Sequence, residues 1–452
     1  MKHPANILPR ASYGSHIRST LKLAWPVILG QLGHVVIGNA DTIMIGKLGA
    51  TELAAASLAN GIFFLFTVIG IGVCIAISPL ASQAIGAGES RLYLRNLLHQ
   101  SVLLTFYLGL IMIGAIIAAG FTFPYLGQEP QVVTLAQSYL NILAISALPM
   151  LIFLAYKHFI EGFEYTLPGM LVMALIVALN ILLNWLFIYG NAGFPTMGLN
   201  GAGWATLIAR IVGMILIAVY THTATQFRAY NYFSNLLQHQ KKVIKEILKI
   251  GLPSGLMYFF EIGAFSGAVI LAGRIGKDAQ SAHQIAIQIA SFTFMFYLGI
   301  SSAASIRVGN AHGRNDWPNL KRAGIAGIIS GLAFIAIFIL IIIPFREILP
   351  ALYIDDDHVV QIAIPLLLIA AFFQLFDGIQ AIIAGILRGM SDVRIPTLIT
   401  FIAYWIVGLP LAWLIGESQM SVQGIWYGLT AGLAFSATFL TWRFLQKTKD
   451  KQ

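Results

Sequence analysis

The sequence predicts an all-α membrane protein: twelve transmembrane helices in two parallel-repeat six-helix lobes around a central cavity. Three observations carry that prediction. The 452 residues are 58% hydrophobic and 10% charged, with a mean hydropathy of +0.81, far more apolar than a soluble domain of this size requires. Windows of about 20 apolar residues, enough to cross a hydrocarbon core of about 30 Å, follow one another along the chain. The second half also repeats the first, in the register that lays Pro26 on Pro253.

In order, the spans are 23–45, 53–80, 97–120, 132–155, 168–190, 201–220, 250–272, 279–304, 323–345, 359–386, 396–416 and 422–443. The first follows Lys2, Arg10, Arg18 and Lys22. It is longer than a signal-peptide apolar region and lacks an obvious small-residue cleavage site, so it is expected to stay as an anchor. The second holds the single cysteine, Cys74, which cannot form an internal disulfide and reads as a small core residue. The fifth carries Asn180 and Asn184, one helical turn apart on a shared face, and the sixth carries Arg210.

Residues 221–249 are the longest polar segment and divide an N-lobe (1–220) from a C-lobe (250–452). Their end, LLQHQKKVIKEILKI, sets Val243, Ile244, Ile247 and Leu248 against Lys241, Lys242, Lys245 and Lys249. That pattern suits a cytoplasmic helix at the lipid headgroups, and equally a solvated basic linker. The seventh span carries Pro253, Glu261 and a Gly263/Gly267 spacing for close helix approach; Pro26 stands at the equivalent point of the first. Kinks at these two prolines are tolerable and would serve gating. His283 falls in the eighth span and Asp377 in the tenth.

An even number of spans puts both termini on one side. Of 27 Lys and Arg, Lys47, Arg274, Lys277 and Arg346 lie in the opposite loops and Arg210 within a span, leaving 22 on the terminal side, which is therefore expected to be cytoplasmic. The net charge of +9 sits in short loops between spans, so membrane topology and lipid headgroups explain it better than a nucleic-acid partner. The repeat pairs Pro26 with Pro253, Gly49 with Gly276, Gly86 with Gly313 and Gly162 with Gly389 without a gap. Six spans per copy make the copies parallel about an axis along the membrane normal.

Three acids are left inside spans: Asp41, Glu261 and Asp377. An intramembrane charge costs roughly 2.5–3.5 kcal/mol on insertion scales and persists where it faces protein or water. With Arg210 the only candidate intramembrane cation, the three cannot all be paired, and a cavity they line would draw protons, metal cations or organic cations. The plainer reading is an acid neutralised by a helix neighbour. Asn180 and Asn184 are either an interhelical hydrogen-bond pair or a polar wall to that cavity, and His283 and His34 are read more readily as structural. Tyr258, Phe259 and Phe373 are candidate cation–π contacts, although aromatic clusters in membrane helices usually serve packing. No Walker-type, CxxC, HExxH or GxSxG pattern occurs, and His34, His283 and Cys74 form no visible nucleophile arrangement; an enzyme is not expected and no cofactor is implied.

Four stretches carry a resemblance: PVILGQLGHVVIGNADTIMIGKLGATELAAASLA, QSAHQIAIQIASFTFMFYLGISSAASIRVGNAHG, EGFEYTLPGMLVMALIVALNILLNWLFIYG and LRGMSDVRIPTLITFIAYWIVGLPLAWLIG. With the twelve-span plan, they resemble the multidrug and toxic compound extrusion (MATE) family in its NorM-type branch, from about Leu23 to Trp442. The resemblance implies a bacterial inner-membrane antiporter, taken as a monomer, that expels organic cations and other drugs in exchange for Na+ or H+. By position, Asp41, Glu261 and Asp377 look like the family's first-, seventh- and tenth-span acids, with Glu261 and Asp377 as the Na+ or proton site of NorM-type coupling. DinF-type coupling would instead centre on Asp41. Asn180 and Asn184 look like its fifth-span polar pair. The competing reading is a lipid-linked saccharide flippase of similar architecture, whose cavity should be richer in Arg and Lys.

Overall fold

The computed structural model describes residues 12–228 and 240–449, so Lys2, Arg10 and the 229–239 part of the expected linker lie outside the described residues. In chain order the helices are α1 (Tyr13–Gly46), α2 (Ala50–Ile75), α3 (Ile77–Gly86), α4 (Arg91–Gly120), α5 (Pro130–Ile145), α6 (Ala147–Gly162), α7 (Leu167–Tyr189), α8 (Leu199–Thr223) and the short α9 (Thr225–Arg228). They continue with α10 (Lys241–Ile275), α11 (Lys277–Gly313), α12 (Trp317–Phe345), the short α13 (Ile348–Ala351), α14 (Asp357–Gly389), α15 (Arg394–Phe401), α16 (Leu409–Gln419) and α17 (Val422–Lys449), with a π-helical turn, Ile402–Gly408, between α15 and α16.

Eleven spans built from these helices are long and apolar enough to cross a membrane. The twelfth is α17, less apolar, with hydroxyls that return to its own backbone: Thr430 Oγ1 donates to Trp426 O at 2.7 Å and Thr438 Oγ1 to Ala434 O at 2.7 Å. Large apolar side chains such as Ile111, Ile270 and Leu340 point outward, as lipid-facing residues do.

The repeat is visible in the backbone. In the register that lays Pro26 on Pro253, the second span, Ala50–Gly86, coincides end to end with α11, Lys277–Gly313, and Pro130–Gly162 coincides with α14, Asp357–Gly389. Left-handed loop positions recur in the same register: Gly88 with Asn315, Glu164 with Ser391, and Gly193 with Met420. Gly49 and Gly276, at φ 155° and 157°, share a conformation that is essentially confined to glycine. A Cβ on Gly162 would strike Ser78 O, and one on Gly389 would strike Ser305 O, its repeat mate.

Prolines explain where the copies differ. A proline gives no N–H to the carbonyl four residues back and its ring crowds that carbonyl. Pro79 and Pro149 do this to Ile75 and Ile145, the last residues of α2 and α5, and each span breaks there. The repeat mates of these prolines are Ile306 and Phe376, and α11 and α14 run unbroken for 37 and 33 residues. Pro410 stands four residues after Ile406 inside the π-helical turn, whereas the corresponding part of α7 is regular. Pro26, Pro253 and Pro365 are carried inside continuous helices.

The described residues of Met1–Ile28, Ile85–Ala87 and Leu256–Gln452 form one compact unit, the C-unit; those of Leu29–Ala84 and Gly88–Gly255 form the other, the N-unit. The chain thus passes from one to the other within α1 and α10, two residues beyond Pro26 and Pro253, and the described residues of 221–249 belong to the N-unit. The headgroup-helix reading of Lys241–Lys249 is corrected. These residues are the first turns of continuous α10, and Val243 and Ile247 are buried in protein, with Tyr93 Oη donating to Glu246 Oε2 at 2.7 Å. Lys157 and Arg388 also change place: neither is a loop charge, because α6 and α14 extend past them and bury both to 4% exposure. Arg210 is therefore not the only cation inside the helices. Gly263 and Gly267 do mark a close approach, facing Trp405 and Leu409 of the eleventh span. Cys74 is a buried core residue.

Candidate functional site

In the N-unit, Asp41 of α1 is half-buried and meets the α7 pair directly. Asn184 Nδ2 donates to Asp41 Oδ1 at 2.5 Å and lies 3.3 Å from Asn180 Oδ1, while Asn180 Nδ2 donates to Thr206 Oγ1 of α8 at 3.2 Å. Asn180 and Asn184 are buried. One helical turn between them is what lets the first amide accept from the second. Arg210 of α8 lies over the Phe63 ring at 5.0 Å and donates from Nη1 to Ser146 Oγ at 2.6 Å. Ser146 is the residue at the α5/α6 break, so the broken helix supplies the guanidinium with its acceptor. Asp41, Arg210 and the buried Tyr139 lie within electrostatic reach of one another. His34 is exposed.

In the C-unit, Glu261 of α10 and Asp377 of α14 lie within electrostatic reach of each other, and Tyr404 of the π-helical turn is within reach of both. Two such carboxylates are stabilised by sharing a proton or a cation. Asp377 is buried and its Oδ1 has no hydrogen-bond partner among the described residues; Glu261 is half-buried. Gln380 Nε2 donates to Tyr404 Oη at 2.8 Å, leaving Gln380 Oε1 buried and unpaired, and Tyr297 Oη donates to Gln374 Oε1 at 2.9 Å. The unpaired buried oxygens here, Asp377 Oδ1 and Gln380 Oε1, suit a proton or a hard cation such as Na+, while Gln374 Nε2 is a buried donor left unpaired beside them. No group of three or more His, Cys, Asp and Glu residues arranged for a metal occurs among the described residues.

Of the remaining candidates, Tyr258 lines a small cavity together with Glu261. His283 is fully buried and accepts from Trp426 Nε1 at its Nδ1, 3.1 Å away. Phe373 is 1% exposed and wedged between Trp426 and Phe265, in the unit's core. Phe259 touches Phe260 edge-on, and Tyr258 lies 5.9 Å from the Arg388 guanidinium.

Sequence reasoning missed Thr206, Ser146 and Tyr139 in the N-unit and Gln374, Gln380, Tyr297 and Tyr404 in the C-unit. The glutamines had a signal, since they flank Asp377 at three-residue spacing in QLFDGIQ. The tyrosines had none, being ordinary aromatics of apolar spans.

The MatE family model matches this chain twice, over residues 26–186 and 253–414. The chain belongs to the MATE family. The two matches begin at Pro26 and Pro253, the register that relates the helices. Multidrug resistance protein NorM of Aliivibrio fischeri is 34% identical over 438 residues, covering 96% of this chain and 95% of its own. A probable multidrug resistance protein NorM of Mesorhizobium japonicum is 34% identical over 454 residues, covering 98% and 96%. Among solved structures, an outward-facing multidrug resistance MATE family transporter superposes with a TM-score of 0.89 at 20% identity, covering 98% of this chain and 97% of that one; this likeness supports the fold.

Proposed function

We propose that this MATE protein is a secondary active multidrug efflux antiporter of the bacterial inner membrane, with both termini cytoplasmic, exporting organic cations and other drugs in exchange for Na+ or H+. The observation that carries the reading is the Glu261/Asp377 pair, with an unpaired carboxylate oxygen buried where a cation or proton would satisfy it. The sequence halves 1–220 and 250–452, joined by 221–249, act as the two alternating parts of a monomer. Because the chain passes between compact units inside α1 and α10, their relative movement is taken up near Pro26 and Pro253.

The coupling ion, bound from outside at Glu261 and Asp377, competes with a cationic drug for the same carboxylate charge and drives its release. Discharge of the ion to the cytoplasm restores that charge for the next drug. Competition is required, because a ligand shifts a two-state equilibrium only by its differential affinity for the two states. Asp41, held by Asn184 and Asn180, gives the N-unit its own acid. A lipid-linked saccharide flippase is disfavoured: the half-buried acids suit cations, and the relatives carry multidrug resistance names.

The test is uptake of a fluorescent organic cation into proteoliposomes, with a Na+ gradient imposed in one arm and a pH gradient in the other. Movement that follows one gradient supports antiport and names the ion. If neither gradient moves any of several cations, the reading falls.

A further inference from the structure

The first turns of α1 are fastened to the C-unit by one guanidinium. Arg307 of α11 donates from Nη1 to His16 O at 2.5 Å and to Thr20 Oγ1 at 2.8 Å, and its Nη2 lies 2.8 Å from His16 Nδ1. Tyr13, His16 and Thr20 recur at helical spacing on one face, and the Tyr13 ring lies 5.5 Å from the guanidinium of Arg322 on α12. His16 is 5% exposed and Thr20 is fully buried. All of these residues belong to the C-unit, whereas α1 beyond Ile28 runs in the N-unit.

These contacts fix the state of the His16 ring. A guanidinium only donates, so Nδ1 accepts and carries no proton. The ring proton therefore sits on Nε2, which lies 3.3 Å from Asn319 Oδ1 of α12. That amide is itself oriented, because Asn319 Nδ2 donates to Asp316 Oδ2 at 2.8 Å and its backbone N–H to Asp316 Oδ1 at 3.2 Å. The charged groups around the ring are Arg307 of α11, Arg322 of α12 and Asp316 at the α12 N-cap, and both oxygens of that acid are engaged. A second ring proton would set an N–H against the Arg307 donor and add a positive charge beside two guanidinium groups.

The matching part of α10 is built differently. The repeat mates of His16 and Thr20 are Val243 and Ile247, both buried, and the mate of Arg307 is Leu80. One crossing helix thus starts on an apolar face that pH does not alter, and the other on a histidine that must stay neutral.

We propose that this contact is a pH-sensitive latch: neutral His16 holds the start of α1 on α11 and α12, and protonation from the cytoplasm releases it and slows transport. The effect on transport rests on the exporter reading with cytoplasmic termini. The latched turns are the fixed arm against which α1 moves near Pro26, and a loose arm transmits less of that movement. The latched state disfavours the charged ring, so its stability is present at high pH and is lost as pH falls. A free imidazole titrates near about 6.5, so on going from about pH 7.5 to about pH 5.5 its protonation weakens the latch by about tenfold.

The experiment reads amide-exchange protection of residues 13–20 of the full chain in detergent, relative to free-chain rates at each pH, for wild type, His16→Asn and Arg307→Met. Asparagine keeps an acceptor near the place of Nδ1 but takes no proton, and methionine removes the donors. From about pH 7.5 to about pH 5.5, wild-type protection is expected to fall about tenfold and that of His16→Asn by less than about twofold, with Arg307→Met low throughout. Wild-type protection that holds in acid overturns the latch. So does a tenfold fall that persists in His16→Asn, which assigns the titration to another group, and so does full protection in Arg307→Met.

A second assay reads exchange of labelled for unlabelled tetraphenylphosphonium across proteoliposomes at equal pH on both sides. His16→Asn is expected to match wild type at about pH 7.5 and to exceed it several-fold at about pH 5.5. Titration of Glu261 and Asp377 is common to both proteins and gives no such difference. Equal rates in acid overturn the effect on transport. A wild type that exchanges no cation at either pH overturns the exporter reading, while the protection result still decides the latch.

Discussion

Asn184 Nδ2 donates to Asp41 Oδ1 at 2.5 Å, and the carbonyl oxygen of the same amide is buried with no donor among the described residues. Asn184 therefore faces the acid only as a donor, and its loss would leave Asp41 with less stabilisation of its charge. A hydrogen bond to a charged group contributes about 1.5–3 kcal/mol. Asn184→Ala should lower the thermal midpoint in detergent by a corresponding amount, and by distinctly less when Asp41 is already Asn. Equal shifts in the two backgrounds would show that the pair is not coupled.

Glu261→Gln and Asp377→Asn should each abolish gradient-driven export while the protein remains folded, because each leaves the pair unable to alternate between drug and ion. Drug resistance of cells expressing the variants is the readout. Full resistance in either one removes that residue from the mechanism.

Pro149→Ala gives Ile145 O an N–H partner and favours joining α5 to α6, as in the unbroken α14. The Ser146 hydroxyl, which Arg210 uses as acceptor, is then pulled back into a regular helix. Expected outcomes are slower amide exchange across residues 145–149 and a several-fold loss of transport. Exchange that is unchanged would show that Pro149 does not hold the break open.

Trp426→Phe removes the donor to His283 Nδ1 in a fully buried setting. An unsatisfied buried acceptor costs about 1–3 kcal/mol, so the thermal midpoint should drop. Transport per folded molecule should stay near wild type, since the hydrogen bond of His283 runs to Trp426 and not to Glu261 or Asp377. A selective loss of transport would place His283 in the site instead.

Much of this was legible in the sequence because apolar spans and a gapless repeat are properties of spacing. The register that pairs Gly49 with Gly276 in the sequence also pairs their backbone conformations. Asp41 and the Asn180/Asn184 face were readable from helical periodicity, and the structure joins them. What periodicity cannot carry is the partner from another helix: Thr206 and Ser146 are ordinary letters of apolar spans, and Tyr404 reaches the acids from a π-helical turn. Span ends were the weakest part. Lys157 and Arg388 were read as loop charges because polar residues end a hydropathy window, although buried compensation or a cavity can keep such residues inside a helix.

The unequal prolines divide the molecule mechanically. The C-unit holds two stiff rods, α11 and α14, the first about 55 Å long at 1.5 Å per residue and so well over the roughly 30 Å of hydrocarbon it crosses. The N-unit holds the same two members jointed at Ala76 and Ser146. A thinner or thicker bilayer is met by tilting a rod but by flexing an elbow. Spin labels placed either side of Ser146 and either side of its mate Phe373, compared in short-chain and long-chain lipids, should show an angle that changes only at Ser146. Acyl-chain length is thus a load that deforms one half of this transporter and merely leans the other.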